Sequence, residues 1–190
     1  AGHPNPRGVA FVEQLLGILD RDVDGFGMTS GVFFATSTPI DPGSLPDLRG
    51  SLDGQASMLL VGIDPESPDH GVRIPVTTFF EADGGPYGAP NLLSLLPLQG
   101  RPLRPGTRYA AVVTDRVTSG GEPLQASTQM EALRRGEVPD GMGNAAAADH
   151  REALVALTEL GAADAVVAMA VFRTGHPTAA LIAAREAILS

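Results

Sequence analysis

The chain has no cysteine and no tryptophan, and its aromatic residues are limited to seven Phe and two Tyr. Without thiols there are no disulfides, no thiolate metal sites and no cysteine nucleophile. That absence does not set the compartment. With so few aromatic rings, a core has to rest on Val, Leu, Ile and Ala. Positive charge is also scarce: 13 Lys and Arg stand against 22 Asp and Glu, for a net charge of −9. An acidic chain repels phosphate backbones, which argues against nucleic-acid binding. The basic residues form no run suited to an anionic membrane surface. No stretch of about 18 apolar residues exists to span a bilayer, and no signal-peptide pattern opens the chain. The start, AGHPNPRG, reads as a loose arm at a mature or cloned terminus.

Motifs of catalysis are missing as well. There is no G-x-S-x-G nucleophile turn, no G-x-x-x-x-G-K phosphate loop, no G-x-G-x-x-G after a strand and no H-E-x-x-H. The histidines, His3, His70, His150 and His176, occupy unrelated contexts. His150 sits beside the apolar face of a predicted helix, where a half-buried structural role outweighs a ligand role. It points away from its neighbours Asp149 and Glu152, so zinc is not supported.

What is present is a chain 43% hydrophobic over 190 residues, enough for one packed domain. Its 23 Gly and 16 Pro imply many turns. The organising stretch is Leu103 to Leu124. Pro105 and Gly106 form a turn, and Tyr109, Ala111 and Val113 then alternate with Arg108, Ala110 and Val112. Both sets are apolar beyond Arg108, which predicts a strand buried on both faces. Ser119-Gly120-Gly121-Glu122-Pro123 supplies the following turn.

In chain order, Val9 to Asp20 predicts a helix with an apolar stripe (Phe11, Val12, Leu15, Leu16, Ile18, Leu19) wide enough to be buried on most sides. Strands are expected near 32–36, 57–63, 72–80, 92–98, 108–115 and 164–173, with Pro75 marking the third as an edge or a bulge. Helices are expected over Ser127 to Arg135, with Ser127 as cap, over Asn144 to Leu160, with Asn144 as cap, and from Pro177 to Leu189. The fold class is therefore α+β, a mainly antiparallel β-sandwich with about four helices. The organisation is one domain over 1–190 with a helical insertion at about 127–160.

Asp20, Asp22 and Asp24, with Gly25, fit D-x-D-x-D-G, the opening of an EF-hand loop. The twelfth position, where a bidentate Glu should close the loop, is Gly31, and the ninth is Met28. Half the ligand set is missing, so the expectation is an acidic turn with no tightly bound calcium and no other cofactor.

Leu103, Pro105, Gly106, Thr107 and Tyr109, followed by Asp115, Gly121, Pro123 and Leu124, resemble the penultimate-strand signature of bacterial Ig-like domains. Val23 to Gly27, Val32-Phe33-Phe34, Pro39 to Pro42, Pro102 to Tyr109 and Phe172-Arg173-Thr174 arrive in an order similar to the N-terminal domain of bacterial virulence-factor lipases. The resemblance covers about residues 15 to 185. The resemblance implies an Ig-like sandwich in an exported bacterial protein, placed before an α/β-hydrolase domain that holds the nucleophile. It implies no catalytic residue in this chain, and a mostly buried Tyr109 whose hydroxyl bonds backbone near Pro102 to Gly106, as in a tyrosine corner, or across the sheet. The long helical stretch from Ser127 to Leu160 departs from that pattern. Two other readings stay open: a chain that lends part of a pocket to a separate hydrolase chain, and a free-standing binding or adhesion module.

Overall fold

In the computed structural model, residues 8, 10–84, 88–161 and 165–189 are described, with Asp20 and Asp22 by backbone alone. Of residues 1–8, read as a loose arm, residues 1–7, His3 among them, lie outside the described residues.

The elements run α1 (Ala10–Asp22), β1 (Val32–Ala35), β2 (Met58–Gly62), β3 (Arg73–Ile74), β4 (Val76–Glu81), β5 (Leu92–Pro97), β6 (Arg108–Thr114), β7 (Thr118–Ser119), β8 (Glu122–Pro123), α2 (Thr128–Arg134), α3 (Asn144–Glu159), β9 (Val166–Arg173) and α4 (Ala179–Leu189). One sheet has the order β1-β5-β4 and a second the order β3-β2-β6-β9; β7 and β8 form a small hairpin. Every pairing between these strands is antiparallel. The chain is thus α+β with antiparallel sheets.

Strand β6 explains the layering. Tyr109, Ala111 and Val113 point into a core shared with Leu93 and Leu95 of β5 and Val76 of β4, so this cluster joins both sheets. Ala110 and Val112 point the other way, into a cluster with Met130 and Leu133 of α2 and Ala153 and Leu157 of α3. The helices between β8 and β9 therefore cover the outer face of the larger sheet, which is why β6 carries no polar face. Arg108 is the exception at the strand's start. Its guanidinium reaches Glu152 at 2.6 Å and Asp149 at 3.5 Å, clamping α3 to β6.

Pro75 marks an edge, as expected: it divides the third apolar run into β3 and β4, each an edge strand of its own sheet. Arg73 and Ile74 pair with β2, and Val76 to Glu81 pair with β5. A proline has no N–H to give to either ladder, so the switch falls there at low cost. The Pro75 carbonyl accepts from Leu98 N–H, and the Val76 N–H donates to the buried Ser51 hydroxyl at 3.1 Å.

Helix details differ from the sequence reading in three places. Ser127 caps α2, accepting from Met130 N–H at 3.1 Å, but Asn144 is the first helical residue of α3, and Gly143 stands at its cap without a side chain. The last helix begins at Ala179, after a turn at Pro177 and Thr178. Helix α1 is not buried on most sides: Phe11, Leu15, Ile18 and Leu19 are all exposed. Periodicity reports that a stripe exists, and it cannot report whether anything in the same chain covers it.

Candidate functional site

Three polar knots hold the loops at the sheet ends. The first surrounds Tyr109, whose side chain is fully buried. Its hydroxyl accepts from Arg104 N–H at 3.0 Å, five residues back along the chain, and donates to Asp69 Oδ2 at 2.6 Å. Arg104 Nε donates to Asp69 Oδ1 at 2.7 Å. Burial pushes the Asp69 carboxyl up, but the hydrogen bonds from Tyr109 and Arg104 outweigh it and hold the group below the ordinary carboxylate range. The Tyr109 phenol is pushed well up, by burial first and by the Asp69 carboxylate second. A phenol held so firmly in its neutral form supplies no phenolate near neutral pH, and the knot reads as an anchor for the 64–72 loop. Asp69 and Arg104 also border a shallow cavity of about 300 Å³ with Arg101 and Leu103. Sequence reading missed Asp69, which lies 40 residues from its partner.

The second knot joins the segments that carry α1 and α4. The Asp24 carboxylate accepts from His176 N–H at 3.1 and 3.2 Å, and its Oδ2 lies 2.9 Å from His176 Nδ1. These bonds, the side-chain one first, hold Asp24 below the ordinary range. Phe26 bridges Thr174 in parallel, with Phe26 N–H donating to the Arg173 carbonyl and Gly175 N–H to the Phe26 carbonyl. Glycines make the approach possible: a Cβ on Gly25 would sit 2.6 Å from Gly175 N. An Asp–His pair invites comparison with a catalytic dyad. Here, however, His176 Nε2 abuts backbone, since a Cβ on Gly106 would meet it at 2.3 Å. No hydroxyl or thiol is bonded to that nitrogen among the described residues. The pair is built as a latch.

The third knot is the Asp41 carboxylate, which accepts from Gly121 N–H at 2.8 Å, the Thr118 hydroxyl at 2.7 Å and Gly120 N–H at 3.1 Å. These donors, Gly121 first, hold Asp41 below the ordinary range. They fix the β7–β8 hairpin seen in the sequence as Ser119 to Pro123. Because the folded-state value is lowered, the stability from Asp41 is present above the ordinary Asp value of about 3.9 and is lost as pH falls through the depressed one. Asp41→Asn should therefore flatten the acid limb of a melting-temperature profile below about pH 4. An acid limb identical to that of the unsubstituted protein would contradict these bonds.

Of the calcium candidates, Asp24 is engaged by His176, while the side chains of Asp20 and Asp22 lie outside those described; α1 runs through both residues. Among the described residues no group of three or more His, Asp or Glu is placed to hold a metal ion. Among the described residues no carboxylate is bonded to His150; its Nδ1 lies 2.7 Å from the Ala146 carbonyl within α3. No helix among the described residues is long and apolar enough to cross a membrane. No family model and no curated protein matches the chain.

Proposed function

We propose that the chain is an Ig-like β-sandwich serving as a non-catalytic accessory domain of an exported lipase- or esterase-like protein, seated against an α/β-hydrolase domain or chain. Two sheets around one core, the Tyr109 hydroxyl bonded to backbone of its own approach, and the parallel Phe26–Thr174 bridge support the Ig-like part. The family resemblance of the sequence motifs supports the placement beside a hydrolase.

The observation that carries the docking role is the exposure of both terminal helices. Leu181 is 72% exposed, Ile188 83% and Leu189 72% on α4, and Phe11 is 69% exposed on α1. Helices of 13 and 11 residues are marginal in isolation, and their stability ordinarily comes from packing an apolar face. These faces await a partner. The latch at Asp24 and His176 brings the segments that lead to both helices together, so one partner surface can engage both.

Substituting Phe11, Ile18, Leu181 and Ile182 together with Asp tests the face. The expected result is loss of most of the fluorescence of a bound apolar dye, with each exposed position costing no more than about 0.5 kcal/mol of stability. Undiminished dye binding, or a variant that is already unfolded in buffer at about 25 °C, would contradict a solvent-facing docking surface. The source gene provides a second test: a hydrolase domain with a G-x-S-x-G turn, in the same chain or an adjacent one, is required.

A further inference from the structure

The two sheets end, on one side, in edge strands that face each other across an open cleft. Strand β1 is the edge of the smaller sheet and β9 the edge of the larger. Two concavities lie between them and meet at Phe33, one of about 650 Å³ floored by Leu93 and Val113 and one of about 250 Å³ beside Val32 and Phe172. The core cluster between the sheets is incompletely walled here: Val32, Phe34, Ala168 and Phe172 belong to it but stay partly accessible.

The backbone of β9 shows where pairing stops. Arg173 turns its carbonyl outward, since that group accepts from Phe26 N–H rather than from β6. Peptide groups alternate along a strand, so Val171 and Met169 also turn theirs outward. At the other end, the Val167 carbonyl accepts from Ser127 N–H. The chain thus satisfies the β9 edge at both ends, and among the described residues nothing reaches the outward groups of Met169 and Val171. Exposed edges are normally guarded by Lys, Pro, inward charge or a bulge. From Val166 to Phe172 the strand reads VVAMAVF, with no charge and no proline, and its irregularity lies before this gap, at Val113 and Thr114 of β6.

Charge selects the occupant. No Asp, Glu, Lys or Arg lines either concavity, in a chain with 35 such residues, 13 basic and 22 acidic. A neutral apolar segment loses nothing there, while a charged one would be desolvated without a partner. The surroundings disfavour a second copy of the same edge: Phe33 and the 124–129 segment flank β9 in the larger concavity, so a single extended strand is more easily seated there than a second sheet. We propose that the cleft between β1 and β9 binds an extended, uncharged peptide segment of a partner protein, which adds a strand to β9 through Met169 and Val171 and fills the open side of the core with alternate apolar side chains. This site is separate from the α1 and α4 face, so either can fail without the other.

The probe is a capped neutral peptide of about seven residues alternating valine and threonine, titrated into the full chain while amide hydrogen exchange is followed. Expected are saturable binding and about tenfold slower exchange at Met169 and Val171. A peptide of the same sequence, N-methylated at alternate residues on the hydrogen-bonding edge, should not bind, which tests the ladder without altering the protein. Val171→Pro removes an outward donor at an edge position where proline leaves the β6 ladder intact, and it should abolish binding while the Asp variants of the helical face retain it. No binding at about 1 mM peptide would overturn the proposal, as would equal binding of the methylated peptide. Concentration-dependent dimerisation abolished by Val171→Pro would overturn it in favour of a second copy. Protection of the cleft by a neutral detergent but not by the peptide would reassign it to small amphiphiles.

Discussion

Replacing Gly62 with alanine is expected to be the most damaging single-methyl change in the molecule. Gly62 ends β2 opposite Tyr109, and the 64–72 loop lies directly on its Cα. A Cβ there would be 2.1 Å from the Asp69 carbonyl oxygen and 2.7 Å from its carbonyl carbon. The obstructing atoms are backbone, so no rotamer change relieves the clash. The loop is also stitched to this residue: Gly62 N–H donates to the Val72 carbonyl, and Gly71 N–H donates to the Gly62 carbonyl. Either the loop lifts and Asp69 leaves Tyr109, or β2 shifts within a core where Met58, Leu60 and Val61 have no exposed surface. Overpacking of a fixed site costs about 1–3 kcal/mol and sometimes more, and the attached knot puts Gly62→Ala at about 3 kcal/mol or above. Urea denaturation measures it. A loss below about 1 kcal/mol would contradict the packing of the 64–72 loop on Gly62.

Tyr109→Phe is expected to cost about 2 kcal/mol. One hydrogen bond to a charged group contributes about 1.5–3 kcal/mol, and the phenylalanine leaves both the Asp69 carboxylate and the Arg104 N–H short of a partner. The ring remains, stacked near Phe172 at a centroid separation of 6.0 Å, so packing is little changed. The substitution also has a pH signature. With the Tyr109 donor gone, burial acts on Asp69 with less opposition, and its folded-state value rises. The stabilisation from Asp69 is present above the ordinary Asp value of about 3.9 and is lost as pH falls through the folded-state one. The acid limb attributable to Asp69 should therefore begin at the same pH, end at a higher pH and be smaller in Tyr109→Phe. A double-mutant cycle with Asp69→Asn separates the pair from its surroundings. Additivity of the two substitutions would contradict a direct bond.

Much of the sheet architecture was legible in particular residues. The alternation from Arg108 to Val113 named a strand buried on both sides, and the two faces of β6 divide in just that way between the inter-sheet core and the helices. Pro75 marked an edge because a residue without N–H cannot sit in a central ladder, although only the structure shows that the chain passes there from the edge of one sheet to the edge of the other. Ser127 was legible as a cap because capping is local. What failed was contact between distant residues. Asp24 and His176 are 152 positions apart, and no spacing rule connects them. Asp69 sat in a loop with no motif, and the need for glycine at position 62 depends wholly on where that loop falls. Burial of α1 failed for a different reason. An apolar stripe has the same period whether its partner lies in the same chain or another.

The proposed accessory role is tested most directly with the purified chain and short-chain p-nitrophenyl esters. His176 is latched to Asp24 with Nε2 against Gly106, and no nucleophile is bonded to it among the described residues, so turnover should not exceed that of a heat-killed control. Turnover that survives purification and disappears on substituting His176, or any Ser of this chain, would contradict the accessory-domain account.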